Sequence, residues 1–205
     1  MRKAKLEINF GRFLVPCRVY GEANQIIICI SGAKQTMASW RSFISHFVAD
    51  YSIVVFDMPG QGRSLILEGS QGVSFEEQVQ VLRAVISKVS QDKAVIIAAA
   101  SWGTLIGAAY AARYPDSVDK MILGSFGAKP TEAILDLIRR GQQLFRENQT
   151  SKIALLMIES FGQHISNSHK RQIINQFQKM SWEQYKSFYE HCEFVSQVKD
   201  IDEYI

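Results

Sequence analysis

The chain has 205 residues, 47% of them hydrophobic and 21% charged, which is enough to bury a core and excludes a disordered or collagen-like polypeptide. Its 23 Lys and Arg against 20 Asp and Glu leave a net charge of +3, too even a balance for nucleic acid or an anionic membrane to be the expected partner. The longest apolar runs, Ala94 to Ala100 and Ile26 to Ile30, fall far short of the roughly 18 residues that a spanning helix needs, so no membrane span is expected.

Arg2 and Lys3 precede a stretch that is polar at every second or third position, so the start reads as mature protein and not as a secretory leader. Leu6, Ile8 and Phe10 alternate with polar residues, and a second alternation runs from Val15 to Tyr20. This predicts a hairpin at a sheet edge, turning at Gly11. The segments Gln25 to Ile30, Ser52 to Phe56, Ala94 to Ala99 and Lys120 to Leu123 are continuously apolar instead, the pattern of parallel strands covered on both faces. Cys17, Cys29 and Cys192 are odd in number and lack CxxC spacing, and Cys29 lies inside the apolar run IIICI. Such thiols behave as small hydrophobes, and a reducing cytoplasm is the expected compartment.

Helical patterns lie between the strands. Ser74 and Glu77 form a capping-box signature before Phe75, Val79, Leu82, Ile86 and Val89, which share one face. A second helix should begin just after Ser101 and stop near Tyr114, because Pro115 follows; its Gly103, Gly107, Ala108 and Ala111 would let it lie close to a sheet. Strand and helix alternate, which predicts an α/β fold with a mostly parallel sheet and right-handed crossovers. After Pro130 the spacing is helical throughout, with Ser181 and Gln184 as a further capping box. The expected division is therefore a core over residues 1–129 and a helical subdomain over 130–205.

The chemistry concentrates at AVIIAAASWGT, where Ser101 stands between an apolar strand and a small-residue helix, flanked by Ala99 and Gly103. A sharp strand-to-helix turn brings neighbouring backbone close to the serine, so the flanking positions must be small while the hydroxyl projects above the sheet. The helix N-terminus that follows offers N–H groups and a positive dipole end to an oxyanion. The strand QIIICI runs into Ser31, Gly32 and Ala33, a loop able to turn a second N–H to the same place, and FDMPGQGRS follows the next strand. The amides of Ala33 and Trp102 are the expected oxyanion hole, with Ser101 the expected nucleophile.

In this order and spacing, the SGA loop, the DMPGQGRS turn and the ASWG elbow resemble the α/β-hydrolase family over the whole chain. Within it, the elbow and the segment AILDLIRRGQQL are similar to the 3-hydroxyacyl acyltransferases that act beside rhamnosyltransferase and make the fatty-acid dimer of rhamnolipids. The resemblance implies an α/β-hydrolase core with a helical cap. It also implies acyl transfer from an ester or thioester, with a small acyl substrate carried on acyl carrier protein or coenzyme A and no cofactor. Ala99 replaces the family's usual Gly at a position that mainly needs a small side chain. The family order is Ser, then Asp or Glu, then His on loops after later strands. Here DIDEYI closes the chain before any such segment, so the expectation is a truncated hydrolase whose acid, base and last strands lie beyond Ile205.

Other readings compete residue by residue. Ser101 could be an ordinary helix N-cap. His46, His164, His169 and His191 are poorly placed as the base, one before the nucleophile and three among helical segments. Asp57 precedes Ser101 and reads as the carboxylate that fixes the PGQG turn. GQGRS matches neither dinucleotide nor P-loop spacing, and His164 and His169, about 140 degrees apart on a helix, make no zinc pair. Ser196 and Lys199 form an SxxK without its usual companions. The alternative function is a non-catalytic, hydrolase-like protein that binds an acyl ligand or a protein partner.

Overall fold

The computed structural model describes residues 3–69 and 72–197. Among these, seven strands form one sheet. Strands β1 (Lys3–Phe10) and β2 (Phe13–Tyr20) make the antiparallel hairpin, in a register that pairs Phe10 with Phe13 and turns at Gly11 with φ 51°. The left-handed φ is what glycine supplies there at no steric cost. Strand β3 (Ile26–Ile30) pairs parallel with β4 (Ser52–Phe56) and with β6 (Val95–Ala100), and β6 pairs parallel with β7 (Val118–Gly124). A two-residue strand, β5 (Leu65–Ile66), adds to β2, and the main order is β1-β2-β4-β3-β6-β7.

The continuous apolar runs are central strands, and Ile28, Cys29, Ile30, Ile53, Val54 and Ile97 are wholly shielded from water. Strand β7 departs from the two-face burial that its sequence predicts. Lys120 and Ile122 are exposed, and Lys120 Nζ pairs with Asp119 Oδ2 at 2.8 Å. Among the described strands β7 has a neighbour on one side only, so its polar positions keep their water while Val118, Met121 and Leu123 are half-buried.

Helices α1 (Arg41–Phe47), α2 (Phe75–Ser90) and α3 (Trp102–Arg113) complete this part. The capping box of α2 is present: Ser74 Oγ accepts the Glu77 N–H at 3.2 Å, and Glu77 Oε2 accepts the Ser74 N–H at 2.9 Å. Arg12, at the hairpin turn, binds Glu77 Oε1 at 3.0 Å and the Gly72 carbonyl at 2.6 Å. Cys17, Cys29 and Cys192 are buried free thiols, and burial pushes that of Cys17 up to about 12.

The described chain divides into two compact units, one up to Ala128 and one from Lys129 on. The second consists of α4 (Glu132–Arg146), α5 (Thr150–Phe161), α6 (Asn167–Gln178) and α7 (Trp182–Gln197). Ile138, Ile153, Phe177, Tyr185 and Tyr189 form its core, and the Tyr185 hydroxyl donates to the Phe177 carbonyl at 2.8 Å. Gly141 lets α4 meet α7, because a Cβ there would stand 2.7 Å from the Tyr189 hydroxyl. The Tyr189 ring is stacked on Phe145 at 5.2 Å and cannot swing away freely. Gly141→Val is therefore expected to destabilise this unit by about 2–3 kcal/mol through overpacking, measured by urea unfolding followed by circular dichroism.

Candidate functional site

Strand β6 ends in alanines, and the chain then reverses at Ser101, whose backbone stands at φ 49°, ψ −124°. A non-glycine residue held there carries about 1–3 kcal/mol of strain, which only surrounding structure can maintain. That structure is visible. The Ser101 N–H donates to the Gly124 carbonyl at 2.8 Å, and the Ser101 carbonyl accepts the Thr104 N–H at 2.9 Å and the Thr104 hydroxyl. Gly103 fits directly beneath the turn, against the carbonyls of Ile30 and Ser31. Ser101 is exposed.

The loop after β3 meets this turn at Gly32, where a Cβ would lie 3.0 Å from Ser101 Cβ and 3.2 Å from the Ala100 carbonyl. Gln35 closes the loop on itself. Its N–H donates to the Gly32 carbonyl at 3.1 Å, and its Oε1 accepts the Gly32 N–H at 3.1 Å. With the Gly32 amide committed to Gln35, the next N–H along the loop is that of Ala33, which is half-buried. Trp102 opens α3, so its N–H stands at the positive end of the helix dipole, next to the serine. Sequence reasoning missed Gln35, because a glutamine in a loop carries no pattern that separates a loop clasp from a solvated side chain.

Asp57, at the end of β4, joins two loops. Oδ1 accepts the Met37 N–H at 2.6 Å and Oδ2 the Arg63 N–H at 2.9 Å, while the Ser64 hydroxyl donates to the Asp57 carbonyl. Gly62, at φ +55°, passes so close over the carboxylate that a Cβ would fall 2.2 Å from Oδ2. The carboxylate thus serves the turn and ties it to the loop that leaves Gly32.

Burial pushes the Asp57 carboxyl above its ordinary range, with its two N–H donors and the charges of Arg18 and Arg63 pulling the other way. A raised carboxyl holds its proton more tightly when folded. The stability it contributes is therefore full in acid, below the unfolded value, and is lost as the pH rises through the folded one. The difference in unfolding free energy, wild type minus Asp57→Asn, is expected to fall with rising pH over that interval, read from urea titrations at a series of pH values.

The histidines lie elsewhere. His46 Nδ1 meets the Ser42 carbonyl of its own helix at 2.9 Å, and His169 Nδ1 meets Ser166 Oγ at 2.8 Å at the start of α6. His164 is exposed, and the side chain of His191 is outside the described residues. Ser196 Oγ donates to the Glu193 carbonyl at 2.7 Å, while Lys199, its partner in the SxxK pattern, is outside the described residues. Among the described residues no histidine is hydrogen-bonded to Ser101, no cluster of His, Cys, Asp and Glu is arranged to hold a metal, and no helix is long and apolar enough to cross a membrane.

Comparison with known proteins agrees with this fold. The sequence profile of the alpha/beta hydrolase fold matches residues 25–191. A (R)-3-hydroxydecanoyl-ACP:CoA transacylase of Pseudomonas aeruginosa is 24% identical over 195 residues, covering 94% of this chain and 64% of the relative. The protein of the same name from Pseudomonas putida is 27% identical over 164 residues, covering 75% of this chain and 54% of the relative. The chain thus spans less than two thirds of the length of these relatives. Among solved structures, MGS-M2, an alpha/beta hydrolase enzyme from a Medee basin deep-sea metagenome library, superposes with a TM-score of 0.80 at 15% identity, covering 97% of this chain and 74% of that one.

Proposed function

The chain belongs to the α/β-hydrolase fold family, and on that footing we propose that it is a serine-nucleophile enzyme of acyl transfer, acting on an ester or thioester. The observation that carries the reading is Ser101 itself, an exposed residue on a backbone strained to φ 49°, beside the N-terminus of α3. In the reaction Ser101 Oγ bonds to the carbonyl carbon, and the carbonyl π electrons move to oxygen, where the Ala33 and Trp102 amides receive the charge. The Oγ proton passes to a general base, which the family's chain order places later in the sequence than the nucleophile. The tetrahedral centre then expels the thiolate or alkoxide, and water or a hydroxyl acceptor attacks the acyl-enzyme in turn.

The transacylase relatives support a fatty 3-hydroxyacyl group as the acyl unit, delivered on acyl carrier protein or coenzyme A. The same reading takes residues 1–129 as core, 130–205 as helical cap and the cytoplasm as the compartment. The test is a fluorophosphonate probe with peptide mapping on the full-length protein. Labelling at Ser101 that disappears in Ser101→Ala is expected. An unlabelled, folded protein would reject the enzyme reading and favour the second one, a non-catalytic, hydrolase-like binder of an acyl ligand or a protein partner.

A further inference from the structure

Gln78, in the first turn of α2, is 2% exposed, a carboxamide taken out of water. Such a group is costly to leave without partners. Both of its ends are used. Nε2 donates to the carbonyls of Val73 and Ser74 at 3.3 and 3.4 Å, and Oε1 accepts the indole N–H of Trp102 at 3.0 Å. From the same turn Phe75 meets the Trp102 ring edge to face, with centroids 5.8 Å apart. The start of α2 is itself anchored by the capping box of Ser74 and Glu77 and by Arg12 on Glu77. A continuous run of contacts therefore links the β1–β2 turn to the residue that follows Ser101.

The position of that residue gives the link a meaning. A residue in a helix's first turn has no i−4 carbonyl within the helix to direct its N–H, so its peptide plane is held less firmly than one in the helix interior. Trp102 is such a residue, and the indole and the Ser101–Trp102 peptide share one Cα. Holding the indole restricts the peptide. A water-exposed tryptophan would leave it free to librate.

We infer that Gln78 is a positioning residue for the oxyanion site, fixing the direction of the Trp102 N–H by holding its indole against α2. The inference rests on the proposed reading of Ser101 as nucleophile. Gln78 touches neither substrate nor reacting atoms, and it acts through Trp102.

The experiment measures the rate of fluorophosphonate labelling at Ser101 in the full-length protein, separated into kinact and KI, for folded variants. Removing an oxyanion donor outright costs about 10²–10³ in rate, so misdirecting one should slow kinact roughly tenfold and leave KI unchanged. That loss is expected in Gln78→Met, which keeps the length of the side chain and lacks the acceptor. Trp102→Phe retains a ring for Phe75 and loses the N–H, so it should slow labelling similarly, and the double variant should be no slower than either single one. Should Gln78→Met not fold, Trp102→Phe against wild type decides. Wild-type rates in Gln78→Met or Trp102→Phe, or losses that multiply in the double variant, would overturn this inference alone. Absence of labelling in the wild type would overturn the nucleophile reading and this inference with it.

Discussion

Ser101→Gly is expected to abolish the proposed acyl transfer and at the same time to stabilise the fold. The two effects have separate causes. Losing the hydroxyl removes the proposed attacking atom, and the loss of a serine nucleophile costs acyl-transfer enzymes up to ~10⁶-fold in kcat, with a residue of catalysis left from binding and oxyanion donors. The backbone effect comes from φ 49°, ψ −124°, which a Cβ tolerates poorly and glycine adopts readily. Relief of about 1–3 kcal/mol of strain, less the 0.5–1 kcal/mol or so that glycine costs through the unfolded chain, leaves a net gain of about 1 kcal/mol. Ser101→Ala retains the Cβ and the strain, so it should lose the same activity with no gain in stability. Urea denaturation of wild type, Ser101→Ala and Ser101→Gly beside a thioesterase assay checks both halves. A glycine variant less stable than the alanine variant would show that the turn stores no strain.

The strand-to-helix turn at Ser101 was legible because its requirements are local. Small residues at Ala99 and Gly103 around a serine, after an apolar strand and before a helix, describe one kind of bend, and the chain makes that bend at Ser101. The central strands were legible for a similar reason, since burial on both faces leaves no polar alternation in Ile26–Ile30 or Val95–Ala100. Strand β7 misled because MIL reads as a buried run, whereas which faces are covered depends on neighbours in space. Strand β5 was invisible, being two residues paired to β2. Gln35 and Gln78 were hidden in another way: nothing in a glutamine's sequence neighbours says whether its amide faces water or closes a loop. Asp57 stood between these cases. Its turn was readable from PGQG, but its grip on Met37, twenty residues away, was not.

Gly103 and Gly107 lie one turn apart on the same face of α3, yet alanine at the two positions is expected to act with opposite sign. At Gly107 the three atoms nearest to a Cβ would be side-chain carbons, the closest being Ile97 Cγ2 at 3.1 Å, so a shift of a few tenths of an ångström suffices. Against that stands the gain of about 1 kcal/mol from replacing glycine inside a helix, so Gly107→Ala should be neutral or slightly stabilising. At Gly103 the obstacles are backbone, with the Ile30 carbonyl oxygen at 2.6 Å and that of Ser31 at 2.8 Å. These belong to the end of β3, which the sheet holds between β4 and β6, so α3 itself must move. Overpacking of this kind costs about 3 kcal/mol, at the upper end of its usual range. The displacement also falls where the geometry matters most, because Ser31 leads into Gly32, which touches Ser101. A shift of ~1 Å at a reacting centre costs about 10²-fold in rate. Gly103→Ala should therefore lose both stability and labelling of Ser101, while Gly107→Ala keeps both. Parallel denaturation and fluorophosphonate labelling of the two variants would separate the close approach of α3 to β3 from helix propensity, and equal behaviour of the pair would refute it.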